Sequence, residues 1–170
     1  NAPPKKTPSE QAKLKWDEAR ASVLVSLAQD QYKNGNLDKC RETVDEALRM
    51  DPVNPQLHLL SAKLSIEKGD LELAERSLDR ARELDAKNAE ADYLSGVVYQ
   101  RWQRPETSLT YYASACEKAP AELAYLMARA EMLVVLNRQD EALALLMAKV
   151  QYFEHSGAIR DAAGQLLVRA

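Results

Sequence analysis

Small and large apolar residues recur along this chain at a fixed spacing of 34 residues. Ala28, Ala62, Gly96, Ala130 and Gly164 fall at that interval, and all are small. Cys40, Ala74, Ser108 and Ala142 form a second small column, and Val44, Leu78, Tyr112 and Leu146 a large apolar one. Ala47, Ala81 and Ala115 continue a fourth column, which breaks at Lys149. A repeat of this length marks stacked structural units, each too small to bury its apolar face alone. Within one period the pattern suits a helical hairpin, because small residues let two helices approach and large ones fill the adjoining grooves. Each unit is therefore expected to hold two helices of about 14 residues joined by short turns.

Turn and cap residues fall at the matching places. Gly35 and Gly69 end first helices, and Asn36 and Asp70 follow them as caps of second helices. Asn54 precedes Pro55 as cap and first helical residue, Asn88 caps the next first helix, and Pro105 opens a second helix. Gln103 and Asn137 stand where the turn glycine is expected, and Ser156 is placed to cap a last helix beginning near Gly157. Ahead of the repeats, Thr7-Pro8-Ser9-Glu10 reads as a capping box. A helix from Pro8 is expected to run through Trp16 and Val23 into the first unit, with Trp16 covering an exposed apolar end in preference to lying in a groove.

Composition agrees and narrows the function. Apolar residues make up 46% of the chain, with one Phe, five Gly and seven Pro, three of the prolines within the first eight residues. A chain this apolar and this poor in breakers beyond Pro8 is neither disordered nor all-β. The net charge is −3. Residues 1–20 hold five Lys/Arg against three Asp/Glu, which leaves −5 for the remainder and gives no basic stripe for nucleic acid. The longest apolar run, Met132 to Leu136, is far too short to span a bilayer. Two cysteines make no disulfide framework, and Cys40, in a small-residue column, is expected to be a buried packing thiol. His58 and His155 belong to no metal-binding pair, so no metal and no cofactor is expected. No acid/base or nucleophile constellation occurs, so no enzyme is expected either. Glu72, Glu75, Asp79 and Glu83 alternate with Arg76, Arg80 and Arg82 and read as a solvated outer face. The missing initiator Met fits a processed chain or a piece of a longer one, and neither a cytoplasmic nor an exported location follows from it.

A 34-residue helix-turn-helix with these columns resembles the tetratricopeptide repeat (TPR) family. Leu24, Leu27, Ala28, Gly35, Cys40, Val44, Ala47 and Pro52 match its pattern in the first unit, and Gly96, Tyr99, Tyr112, Ala115 and Pro120 in the third. His58 and Asp92 depart from it at a position that is usually large and apolar. The resemblance implies an all-α fold, an α-solenoid wound as a right-handed superhelix of tandem units. It divides the chain into a Pro-rich leader at 1–7, an N-terminal helix or cap at 8–20, and repeats at 21–54, 55–88, 89–122 and 123–156. The fourth repeat is degenerate, and 157–170 is half of a fifth repeat or a cap.

The same resemblance implies a non-enzymatic protein-interaction module, a scaffold or adaptor whose first helices line a concave groove. The groove positions are Val25, Gln29, Tyr32 and Lys33 in the first unit and Leu59, Lys63 and Ile66 in the second. In the third and fourth they are Tyr93, Val97, Gln100, Arg101, Met127, Glu131 and Val134. The expected ligand is a peptide or helix of a protein partner with apolar anchors. The clamp by which some TPR domains hold a chaperone's terminal carboxylate is not matched, since Val25, Gln29, Leu60, Glu90 and Leu94 occupy its positions. Two alternatives accompany this reading. One is self-association through the last helix, with Ile159, Leu166 and Leu167 as its apolar face, and the other is a fragment of a larger protein with its activity elsewhere.

Overall fold

In the computed structural model, which describes residues 7–150, 152–153 and 157–169, the 34-residue period reaches down to single hydrogen bonds. Four helices end on a residue with positive φ: Gly35 at 73°, Gly69 at 79°, Gln103 at 56° and Asn137 at 58°. In every case the next residue donates its N–H to the carbonyl five positions back, Asn36 to Gln31, Asp70 to Ser65, Arg104 to Tyr99 and Arg138 to Leu133, at 2.8–2.9 Å. This closure satisfies carbonyls left open by the helix and turns the chain back on itself.

Among the described residues the elements are all helical. They are α1 (Pro8–Lys33), α2 (Leu37–Met50), α3 (Pro55–Lys68), α4 (Leu71–Leu84), α5 (Ala89–Arg101), α6 (Pro105–Lys118), α7 (Leu123–Val135), α8 (Gln139–Met147) and α9 (Gly157–Arg169). The expected caps form at Thr7, whose side chain accepts from the Glu10 N–H in a capping box, and at Asn54, Asp70 and Asn88. Asn36 makes no side-chain cap bond. It lies exposed, where water serves the open N–H groups of α2 equally well. Asn1 to Lys6, His155, Ser156 and the side chain of Leu167 lie outside the described residues. The helix α8 is short, ending at Met147, because a lysine at 149 cannot enter the close-packed column that Ala47, Ala81 and Ala115 occupy.

The chain forms two compact units, Asn1–Ala86 and Lys87–Ala170. In the first, α1 pairs with α2 and α3 with α4, and α2 packs on α3 around Ala28, Cys40, Val44, Leu60 and Leu64. In the second, α5 pairs with α6, and α7, α8 and α9 follow around Leu126, Ala130, Leu133, Ala142, Leu146 and Ile159. The repeat columns are the core in both: Cys40, Ala74, Ser108 and Ala142 have no exposed surface, nor do Val44 and Leu78.

Four expectations are corrected. Gly164 is exposed, with no atom within 4 Å of a methyl built on it, so it takes no part in close packing among the described residues. Ile159, Ala163 and Leu166 are buried against α7 and α8, so Ile159 and Leu166 belong to the core and not to an exposed face. Trp16 is 70% exposed and does not fold down as the expected cover. Glu75 is buried, and its carboxylate meets the Arg82 guanidinium at 2.9 Å. It therefore belongs to an internal ion pair and not to the solvated outer face.

Candidate interaction surface

In the first unit the groove positions fall on α1 and α3. Val25, Gln29, Tyr32 and Lys63 are half-buried and Lys33 is exposed. Lys63 Nζ lies 5.8 Å from the centroid of the Tyr32 ring, a cation–π distance that holds both side chains on the same patch. Leu59 and Ile66 present almost no surface, 3% and 5%. At these two expected groove positions the side chains serve packing instead.

In the second unit four of the named residues share one cavity. Tyr93 from α5, Met127, Glu131 and Val134 from α7, and Ala162 and Gln165 from α9 line an open groove of about 450 Å³. Val97 and Gln100 are half-buried and Arg101 is exposed, and none of the three lines it. Gln100 is committed elsewhere, its Oε1 accepting from the Tyr112 hydroxyl at 2.7 Å.

The groove's wall is built on stacked rings. Tyr93 stacks on Tyr125 with ring centroids 4.7 Å apart and lies 5.6 Å from the Tyr112 ring. Burial pushes the Tyr125 phenol up to about 12, and the carboxylates of Glu90 and Glu122 add to the shift. Burial also raises Tyr112, with smaller contributions from Tyr93 and Glu131. Both phenols thus stay neutral at ordinary pH, and the chemistry on offer is contact: aromatic and aliphatic surface beside acidic groups.

Two departures from the repeat pattern are explained by partners. His58 Nε2 lies 2.9 Å from the Pro52 carbonyl oxygen. Asp92, only 2% exposed, receives a hydrogen bond from Ser114 Oγ and an ion pair from Lys118 Nζ, each at 2.5 Å. A buried carboxylate is tolerable when paired in this way. The contribution of α9 to the groove was missed from sequence. Its signal was the register of Ala163 and Gly164, which places Ala162 and Gln165 as the next first helix in line. Among the described residues no cluster of three or more potential metal ligands occurs, and no helix is long and apolar enough to cross a membrane.

Comparison with known proteins identifies the repeat. A sequence model of the tetratricopeptide repeat matches residues 25–89 and again residues 60–122. Among curated proteins none matches the chain by sequence. Among solved structures the chain is similar to that of pilF from Pseudomonas aeruginosa, with a TM-score of 0.79 at 15% identity over 90% of this chain and 70% of that one. It is similar to YrrB, a TPR protein with an unusual peptide-binding site, with a TM-score of 0.69 at 18% identity over 86% and 75% of the two chains. It also resembles TTC0263, a thermophilic TPR protein of Thermus thermophilus, with a TM-score of 0.72 at 19% identity over 87% and 81%. At these identities the likeness carries the fold alone.

Proposed function

Because the chain belongs to the tetratricopeptide repeat family, whose members generally serve protein interaction, we propose that it is a scaffold or adaptor acting by binding alone. It takes a peptide or helix of a partner protein along its first helices. The observation that carries this reading is the groove between α5, α7 and α9, which draws Tyr93, Met127, Glu131 and Val134 onto one cavity. An amphipathic segment suits such a groove, its apolar anchors seated on Met127 and Val134 and a basic residue beside Glu131. Val25, Gln29, Tyr32, Lys33 and Lys63 form a second, more basic patch on the first unit, suited to an acidic stretch. Val97, Gln100 and Arg101 flank the groove side of α5, while Leu59 and Ile66 back the surface without touching the ligand. A peptide-binding site in a protein of similar fold, YrrB, is in keeping with this reading.

Peptides selected from a display library against the full chain test the proposal. Met127→Ala and Glu131→Lys are each expected to weaken the selected peptides about tenfold, near 1.4 kcal/mol, without lowering the melting temperature appreciably. Peptides that bind both variants as tightly as the parent would overturn it. Tyr93→Ala is a poorer probe, since stacking on Tyr125 makes it part of the wall.

A further inference from the structure

The first helix of the first repeat exposes a face that its counterparts bury. In α3 the side chains of Leu57, Ser61 and Leu64 are buried, and in α5 those of Ala91, Ser95 and Val98 are. One repeat spacing earlier the same register on α1 is Val23, Leu27 and Asp30. Val23 is 68% exposed, Leu27 45%, and Asp30 is exposed as well. In the first unit α2 covers this face of α3, with the Arg41 guanidinium donating to the hydroxyls of Ser61 and Ser65 at 3.2 Å. On α1 nothing described covers it, and the stripe continues toward the N-terminus through exposed Ala19, Trp16 and Ala12. Isolated exposed apolar residues are ordinary, but a contiguous stripe on one helix face marks an interaction surface.

The spacing of the stripe points to its occupant. With Ala19 left at the middle of the stripe, Ala12, Trp16, Val23 and Leu27 are separated by 4, 7 and 4 residues, intervals that read the same in both directions. We propose that this face of α1 pairs with the same face of a second copy, antiparallel, about a two-fold axis midway between Ala19 and Arg20. An isologous interface requires self-complementarity of this kind. The arrangement sets Trp16 on the second copy's Val23 and Leu27 on its Ala12, large against small at both ends, over about 23 Å of helix. Ala19 at the axis allows close approach.

The charges fit the same register. Lys13 comes within about one helical turn of the second copy's Asp30, and the reverse pair forms by symmetry. A parallel pairing would instead place Lys13 on its own copy. Arg20, the cation nearest the axis, is drawn aside by Glu46 at 2.6 Å. A single helix pair buries little for a stable complex, so the dimer is of the weak, concentration-dependent class.

Sedimentation of the full chain from micromolar to millimolar concentration tests this. The mass is expected to rise from 19.0 kDa to about twice that, and Val23→Asp is expected to hold it at the monomer with the helical circular dichroism unchanged, because Val23 is exposed in the monomer. A second measurement fixes the register. On a Cys116→Ser background, with Cys40 fully buried, Ala19→Cys is expected to form a disulfide with its own copy under mild oxidation. Val23→Cys is expected not to, since two such sulfurs would be separated by about 10 Å along the helix axis. A chain that stays monomeric throughout would overturn the proposal and leave the face to a different helix, upstream or from a partner. A dimer that survives Val23→Asp, or self-linking of Val23→Cys as fast as of Ala19→Cys, would overturn it equally. Peptide capture at Met127 lies on the other unit and is read separately.

Discussion

A methyl group on Gly96 would stand 2.4 Å from Cδ1 and Cε1 of Tyr112. At the same two columns elsewhere the small residue is Ala while the large one is Val or Leu, all buried: Ala28 with Val44, Ala62 with Leu78, Ala130 with Leu146. Only the third repeat carries a ring, and only there has the facing residue lost its methyl. Gly96→Ala should therefore destabilise the second unit by about 2–3 kcal/mol, since the ring, held by Tyr93 and by its bond to Gln100, has no free space to enter. Combined with Tyr112→Leu, which restores the pairing of the second and fourth repeats, the same substitution should cost much less. A double-mutant cycle in urea measures the coupling, and additive costs would show that the two residues do not constrain each other.

The helix ends give a second prediction, of opposite sign. Gln103 and Asn137 hold the left-handed conformation that Gly35 and Gly69 hold in the first two repeats. A side chain there costs about 1–2 kcal/mol, less for Asn than for Gln. Gln103→Gly should stabilise the chain by about 0.5–1 kcal/mol after the added freedom of the unfolded state is subtracted. Asn137→Gly should gain less, and Gly69→Ala should lose about 1 kcal/mol although no atom lies within 4 Å of its added methyl. Urea midpoints of the three variants check the order.

The columns were legible because packing between helices is a local, repeated demand: each small residue at 28, 62, 96 and 130 answers to its own hairpin partner. What the period could not convey is what lies beyond one unit. Position 5 of the first helix looks the same in Val25, Leu59 and Tyr93, yet Leu59 is buried and the other two are not. Its exposure depends on the neighbours of each helix and not on its register. The same reason hid the role of α9. Ile159 and Leu166 read as an apolar face still to be covered, whereas the structure turns them back onto Leu126 and Leu146. Glu75 was misread for a different reason. Helical spacing placed it among charges, but the reach of Arg82 across two turns decided its burial.

If α9 belongs to the second core, a charge at its centre should undo that packing. Ile159 has no exposed surface. Ile159→Asp should cost about 3 kcal/mol or more, from lost burial and an unpaired carboxylate among Leu126, Leu133 and Leu146. In hydrogen exchange the loss of protection should concentrate in α7–α9, with α1–α4 unchanged, as expected where units contact only their neighbours. Uniform loss across all helices would mean that the chain unfolds as one block.

Alkaline pH should weaken the fold through the tyrosine wall of the groove. Tyr125 has its phenol raised to about 12 by burial and by Glu90 and Glu122, against about 10 for an unfolded tyrosine. Between these values the unfolded chain has released a proton that the folded chain keeps, so unfolding gains from every rise in pH. The contribution is fully present below about pH 10 and is lost as pH climbs through about 12. Tyr112, also raised by burial, acts in the same direction. Urea midpoints measured from about pH 8 to about pH 11 should fall with pH. The decisive comparison is with Tyr125→Phe, which keeps the ring stacked on Tyr93 and removes the phenol. That variant should show a shallower alkaline decline with an unchanged midpoint near neutrality, and a slope equal to the parent's would place the pH sensitivity elsewhere.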